Sequence, residues 1–349
     1  AYIADVYYAA SAQIVAKAAD VLKIPDVKEK YQEIAERQWN VVKEEYFTPT
    51  GRCAIKTQTG LTLALKYHLS KDETKTRKML KKLFRQNKYK LNTGFVGTPL
   101  LCNTLTENGM TDIAYQLLLN EEFPGWLYEV RLGATTVWER WNSLDESGHV
   151  SSTGMNSLNH YSYGAILEWM FRYVAGFYVT EHSVGGRKMK ITPKINRKLG
   201  YVEASYDSAC GEYKSSWKIL DDNRVKISVT VPFGCEAEIE LPYASEYIYE
   251  EQENPIFADV KNGICHVKSG IYEVCYEASE SLAQHYSVDS KMEDLLSNPD
   301  TRKFLSTMID TDMLPDIVFD MSLKDVAQIF AGGVGEEQEQ MLNSALGQF

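Results

Sequence analysis

A glutamate framed by two tryptophans, Trp138-Glu139-Arg140-Trp141-Asn142, is followed closely by Asn156-Ser157-Leu158-Asn159-His160-Tyr161. These residue types suit a sugar. Aromatic rings cover the apolar C–H faces of a pyranose, amides and imidazoles pair with its hydroxyls, and a carboxylate can take a proton from an attacking water. Cleavage of a glycosidic bond normally needs two carboxylic acids facing each other across it, so this run offers one half of such a site. Taken singly, its members are ambiguous. A glutamate beside an arginine is most often a solvated or paired carboxylate, and a lone histidine near a helix start usually caps or packs.

The elements that must position these residues are helical as far as about Val179. Tyr7, Ala10, Ile14, Ala18 and Leu22 recur at three and four residues, Pro25 closes that segment, and a second runs through Tyr31, Ile34, Ala35, Trp39 and Val42. Turn chemistry at Thr48-Pro49-Thr50-Gly51-Arg52 precedes a second helix pair, Leu61 to Leu69 and Thr74 to Arg85. A third pair, Thr98 to Glu107 and Thr111 to Leu119, is divided by Asn108-Gly109, and a last aromatic helix is predicted over Tyr161 to Tyr178 with Ile166, Trp169, Met170, Tyr173 and Val174 on one face. Helix hairpins at a spacing of about forty residues fit a toroid or solenoid.

Near Gly185-Gly186 the pattern changes to short alternating segments: Lys188–Ile191, Tyr201–Tyr206, Gly211–Ile219, Arg224–Val231, Cys235–Leu241, Ile264–Val267 and Gly270–Tyr276. With turns at Asp221-Asp222-Asn223 and Asn262-Gly263, they predict an antiparallel β-sandwich. Residues 281–349 hold twelve acidic and four basic side chains, a net charge of −8, and their apolar positions Leu295, Leu296, Phe304, Leu305, Met308, Ile317, Val318, Leu323, Val326 and Ile329 predict a small helical bundle. The expected domains are 1–183, 184–280 and 281–349.

Composition narrows the partners. A formal charge of −11 over 349 residues disfavours nucleic acid and anionic membrane surfaces, and there is no apolar run long enough to cross a bilayer. The six cysteines, Cys53, Cys102, Cys210, Cys235, Cys265 and Cys275, form neither a Cys-x-x-Cys pair nor a zinc-like spacing with histidine, so no metal or other cofactor is expected. They read as buried reduced thiols, which points to the cytoplasm. The chain opens on Ala1 directly in a helical pattern without a capping lead-in, so we expect it to be part of a longer protein.

Five ordered blocks carry a likeness to a known family. They are Thr50-Gly51-Arg52 with Thr57-Gln58-Thr59; Leu91 to Leu100; Leu105-Thr106-Glu107-Asn108-Gly109-Met110-Thr111-Asp112-Ile113-Ala114-Tyr115; Gly133-Ala134-Thr135-Thr136-Val137-Trp138-Glu139-Arg140-Trp141; and Gly154-Met155-Asn156-Ser157-Leu158-Asn159-His160-Tyr161-Ser162-Tyr163-Gly164-Ala165, running on to Tyr173-Val174-Ala175-Gly176. The run from residue 1 to about 242 resembles the catalytic barrel and C-terminal sandwich of bacterial α-L-rhamnosidases of glycoside hydrolase family 78.

That resemblance implies an incomplete (α/α)6 barrel, then the sandwich and the acidic helical extension, and an inverting release of terminal α-L-rhamnose from a glycoside or oligosaccharide. It assigns Glu139 as the general base, which must hold a water on the far face of the sugar with roughly 6.5–9.5 Å between the two carboxyls. Arg140, if turned inward, would favour its ionised form. His160 is implied as a hydrogen-bonding partner of the rhamnose and Asn159 as a neighbouring amide. Trp138 and Trp141 either face the sugar or pack behind Glu139.

One departure is large. The family's general acid lies upstream in a block reading Asp-Cys-Pro-x-Arg-x-Glu-x-x-Gly-Trp, and no cysteine here is followed by proline. The chain is therefore expected to carry the base without the acid, to be inactive alone, and to associate with the missing N-terminal part of the same enzyme or with a second copy. A non-catalytic carbohydrate-binding or structural module, and another (α/α)6 hydrolase or lyase, are the competing readings.

Overall fold

The computed structural model describes residues 1–151, 154–180, 183–220, 223–244, 263–282 and 286–349, which form two compact units, Ala1–Ile166 and Leu167–Phe349. In the first, α1 (Tyr2–Val21) and α2 (Pro25–Tyr46) pack as a hairpin. Pro25 opens α2 instead of closing α1, because a residue that lacks an N–H and has a fixed φ costs nothing in the first helical turn. The Tyr46 hydroxyl donates to Asp5 Oδ2 (2.7 Å), tying the far end of α2 to the start of α1.

The face of α1 that is buried is not the one its strongest apolar residues mark. Tyr2, Val6, Ala9, Ala16 and Ala19 are buried, whereas Ile14 and Leu22 are exposed. The buried row is made mostly of small side chains while bulkier ones are left uncovered, so this helix is apolar on more than one face.

Two further helix pairs and one short helix follow. Helices α3 (Gln58–Lys66) and α4 (Glu73–Gln86) begin at the side-chain caps Thr57 and Asp72, and α5 (Thr98–Glu107) is joined to α6 (Thr111–Leu118) through Gly109 at φ +72°. The short α7 (Trp126–Arg131) is absent from the sequence pattern, since six residues carry too little periodicity to be recognised.

The helix predicted over Tyr161–Tyr178 is broken into pieces. A 3₁₀ turn (Ser162–Ala165) runs into α8 (Ile166–Trp169), then a π turn (Met170–Val174) closed by Ala175 N–H to the Met170 carbonyl (2.8 Å). Gly176, at φ +90°, then turns the chain into strand β1 (Phe177–Val179). The aromatic periodicity is real, but it ends where the left-handed glycine diverts the backbone.

The second unit holds one six-stranded sheet in the order β1-β2-β5-β4-β3, with β6 paired to β5. Its strands are β2 (Lys188–Ile191), β3 (Tyr201–Ser208), β4 (Gly211–Ile219), β5 (Arg224–Glu240) and β6 (Ile264–Glu277). Two pairs of predicted strands are thus single long strands. A register irregularity between Val231 and Glu236 divides β5 into a half beside β4 and a half beside β2, and β6 follows it through both. The expected β-rich domain takes the form of this one continuous sheet, antiparallel except for the pairing of β2 to β5. Of the predicted turns, Asn223 and Gly263 both have positive φ, and residues 221, 222 and 262 lie outside the described residues.

Buried polar side chains on β4 fasten the 173–176 corner. Trp217 Nε1 donates to the Val174 carbonyl and Ser215 Oγ to the Ala175 carbonyl, each at 2.7 Å. The acidic extension has a core of its own, built from Val288, Met292, Leu295, Leu296, Leu305, Val318, Leu323, Val326 and Leu346. Its helices are α9 (Met292–Ser297), α10 (Pro299–Leu305), α11 (Leu323–Ala331) and α12 (Glu336–Leu346). Met308, Ile317 and Ile329, expected in that core, are exposed.

A side chain at Gly176 would put its Cβ 2.5 Å from Pro193 N in a backbone region hostile to L-residues. Gly176→Ala is expected to destabilise the second unit by at least about 2 kcal/mol, seen as a lower urea midpoint with an unchanged slope.

Candidate active site

Four connected steps lead from α3 to the glutamate. Gln58, buried at the start of α3, donates from Nε2 to the Lys90 carbonyl (2.9 Å) and accepts the Asn92 N–H at Oε1 (2.8 Å). One amide side chain thereby fixes the following segment at two points. Thr93 is held in turn by a hydroxyl contact to Thr98 (2.8 Å), and its carbonyl accepts Trp141 Nε1 (3.1 Å). Trp141 stacks on Tyr163 with ring centroids 3.9 Å apart and planes within 4°, and meets Trp126 edge-on at 5.3 Å. Trp126 Nε1 closes the cluster by donating to the Tyr163 carbonyl (3.0 Å).

Onto this base two irregular segments are laid side by side. Glu139 N–H donates to the Ser157 carbonyl (2.9 Å), His160 N–H donates to the Val137 carbonyl (2.8 Å), and Thr136 Oγ1 donates to the Leu158 carbonyl. The stretches 136–139 and 157–160 are therefore one paired unit, and Glu139 and His160 sit on it together. Their separation in sequence gives no hint of this pairing, because neither stretch has a regular strand pattern.

Each predicted site residue has a definite place. Glu139 is half-buried, and so is His160, whose Nδ1 accepts the Ser162 N–H at 3.3 Å. The His160 ring stacks with those of Phe95 (5.0 Å, 15°) and Tyr161 (5.2 Å, 12°). Asn159 is exposed, and its carbonyl accepts the Ser157 hydroxyl (3.0 Å). Trp138 and Trp141 are only 2% and 9% exposed, so their rings lie within the fold. Asn156 is engaged with Ser143, accepting its hydroxyl at 2.6 Å and donating to its carbonyl at 3.0 Å. Residues 152 and 153, in the loop before Gly154, lie outside the described residues.

The sequence reading passed over three participants. Phe95 and Tyr161 stack with His160 and have partly or largely exposed rings, Tyr161 at 88%. Glu129, on α7, is 3% exposed, and its Oε2 accepts the Trp138 N–H at 3.4 Å. Its Oε1 has no hydrogen-bond partner. Burial pushes the Glu129 carboxyl up to about 7, opposed by the Trp138 hydrogen bond. The one available signal was a single acid within the apolar run Trp126-Leu127-Tyr128-Glu129-Val130.

Among the described residues no group of three or more His, Cys, Asp or Glu is arranged to hold a metal, and no helix is long and apolar enough to cross a membrane. Four of the six free cysteines are buried, while Cys210 and Cys275 are partly exposed.

Helix hairpins followed by a sheet domain are the ground plan of part of a six-hairpin glycosidase. The family model described as bacterial alpha-L-rhamnosidase 6 hairpin glycosidase domain matches residues 1–174, and that for the bacterial alpha-L-rhamnosidase C-terminal domain matches residues 179–255. The chain belongs to the bacterial α-L-rhamnosidase family of glycoside hydrolases.

It is 36% identical over 266 residues to an alpha-L-rhamnosidase of Formosa agariphila, which covers 74% of this chain and 28% of that protein. Against an alpha-L-rhamnosidase of an Alteromonas species the identity is 40% over 189 residues, 54% of this chain and 20% of that one. The crystal structure of Streptomyces avermitilis alpha-L-rhamnosidase complexed with L-rhamnose matches at a TM-score of 0.69 and 28% identity, over 79% of this chain and 27% of that one. The native Aspergillus terreus enzyme matches at the same TM-score and 27% identity, over 79% of this chain and 30% of that one. The chain thus spans less than a third of the length of these relatives.

Because the folded value of Glu129 lies above the ordinary 4.5, the neutral form is favoured in the fold. That contribution is complete below pH 4.5 and is lost as pH rises through about 7. Glu129→Gln is therefore expected to gain stability relative to wild type across this interval, by up to about 3 kcal/mol, and to show little difference in pH dependence below it, as measured by urea unfolding at stepped pH.

Proposed function

We propose that this chain is the base-bearing C-terminal part of an inverting α-L-rhamnosidase, and that Glu139 is its general base. The observation that carries this reading is the backbone pairing of 136–139 with 157–160, which holds Glu139 and His160 on one unit beside the Phe95–His160–Tyr161 rings. The L-rhamnose bound in the Streptomyces relative supports the choice of sugar.

In this reading the Glu139 carboxylate takes a proton from a water as that water attacks the anomeric carbon. The acid, on the opposite face, protonates the departing oxygen, and the configuration is inverted. The His160 imidazole and the exposed Asn159 amide bind rhamnose hydroxyls. Trp138 and Trp141 serve by packing behind Glu139. The substrate is a glycoside or oligosaccharide with terminal rhamnose.

The acid belongs, in our proposal, to a segment outside this chain, since none of its cysteines begins the family's acid block. That segment, or a second copy of the chain, would cover the uncovered Ile14 and Leu22 row of α1. Residues 1–183, 184–280 and 281–349 are the functional divisions.

Purified 1–349 is expected to bind L-rhamnose saturably and to leave an aryl α-L-rhamnoside uncleaved. Joined to a barrel segment bearing the acid block, it should hydrolyse that substrate, with Glu139→Gln lowering kcat by roughly 10²–10⁴-fold and changing KM by only a few-fold. Full turnover by 1–349 alone, lost on Glu139→Gln, would place the acid inside the chain and overturn the division of labour. Binding without turnover in the joined protein would favour a sugar-binding module.

A further inference from the structure

Glu129 is the one buried acid of this site among the described residues, and it touches the catalytic segment at both ends of a loop. Its own carbonyl accepts the Leu132 N–H (3.1 Å) and the Ala134 N–H (3.0 Å), and its side chain accepts the N–H of Trp138 (3.4 Å). Residues 133–138 are therefore clipped to a single residue of α7. Trp138 immediately precedes Glu139, so the side-chain contact fixes the backbone from which the Glu139 carboxylate projects.

A glutamate is an expensive choice for this task. At 3% exposure it sits among apolar and aromatic side chains, and no lysine, arginine or histidine forms an ion pair with it among the described residues. The ionisable group that faces it is the Tyr163 phenol, on the 3₁₀ turn, which feels the charges of both Glu129 and Arg140. A neutral glutamine could accept the same N–H at lower desolvation cost. What glutamate adds is a change of charge, and with it a change in acceptor strength. The contact is long at 3.4 Å, and an ionised carboxylate draws an N–H closer and binds it about twice as strongly as a neutral one.

We propose that Glu129 is a positioning residue for Glu139: its carboxyl clamps the loop 133–138, and loss of its proton to solvent tightens the clamp and firms the presentation of the base. The proposal extends our reading of Glu139 as the base, and rests on it for its functional consequence. The clamp itself does not depend on any ligand.

The two are separated by two measurements on the full 349-residue chain. The first follows the backbone amide resonances of Trp138 and Glu139 from pH 5 to 9. Wild type should show both shifting with a common midpoint near 7, and Glu129→Gln should keep the native spectrum while abolishing that step. Amides that fail to titrate, or titrate unchanged in Glu129→Gln, overturn the proposal. If Glu129→Gln fails to fold, Glu129→Asp serves instead: its shorter side chain should shrink the step at Trp138, and an undiminished step overturns the clamp.

The second measures L-rhamnose affinity over the same range. Wild type should tighten by up to about fivefold with rising pH, Glu129→Gln should give a flat profile at the weaker level, and Glu129→Leu should bind more weakly at every pH. A merely structural role would leave the affinity profile of Glu129→Gln parallel to wild type. Absence of rhamnose binding in wild type, with the amide step intact, would sink the sugar-site reading and leave the clamp standing.

Discussion

Two backbone hydrogen bonds, Glu139 N–H to the Ser157 carbonyl and His160 N–H to the Val137 carbonyl, are the constraint on which the site depends. Neither stretch belongs to a helix or a strand, so no regular ladder holds them. Isolated irregular segments would not keep a fixed geometry against their conformational entropy. The pairing survives because the flanking residues are anchored. Trp141 is locked between Tyr163, Trp126 and the Thr93 carbonyl, and Thr93 is positioned through the segment that Gln58 holds. Flexible-looking loops thus rest on buried rings and a single buried amide.

This arrangement explains why the aromatic residues divide into two sets. Trp126, Trp138, Trp141 and Tyr163 are buried, and three of them spend their polar atoms or ring faces on one another. Phe95 and Tyr161, both stacked with His160, keep exposed surface. The first set gives rigidity, and the second leaves apolar ring faces open to solvent. Glu129 lies with the first set yet carries an ionisable group, a combination that lowers stability as pH rises through about 7.

Much of this was legible in the sequence, and the failures have physical causes. The hairpins of α1 to α6 and most strand positions follow from periodicity, capping and turn residues, because those signals act locally. The 161–178 segment misled, since aromatic spacing suggested a helix while Gly176 at φ +90° dictated a turn into β1. The buried face of α1 was misassigned because alanines, not the bulkier Ile14 and Leu22, make up most of the buried row. Ordered motif blocks singled out Glu139 and His160, but their pairing rests on carbonyls, which every residue has, so no side-chain pattern could announce it. Glu129 was invisible for a related reason: its importance comes from burial, and burial of a charged residue is the outcome that composition argues against.

The central claim is that 136–139 and 157–160 act as one sugar-binding unit. Its most direct test is an amide chemical-shift titration of the 349-residue chain with L-rhamnose. The account predicts saturable shifts at Val137, Glu139, Ser157 and His160 with one common dissociation constant, and none on β2 to β6. Shifts confined to one of the two stretches, or centred on the sheet, would contradict it.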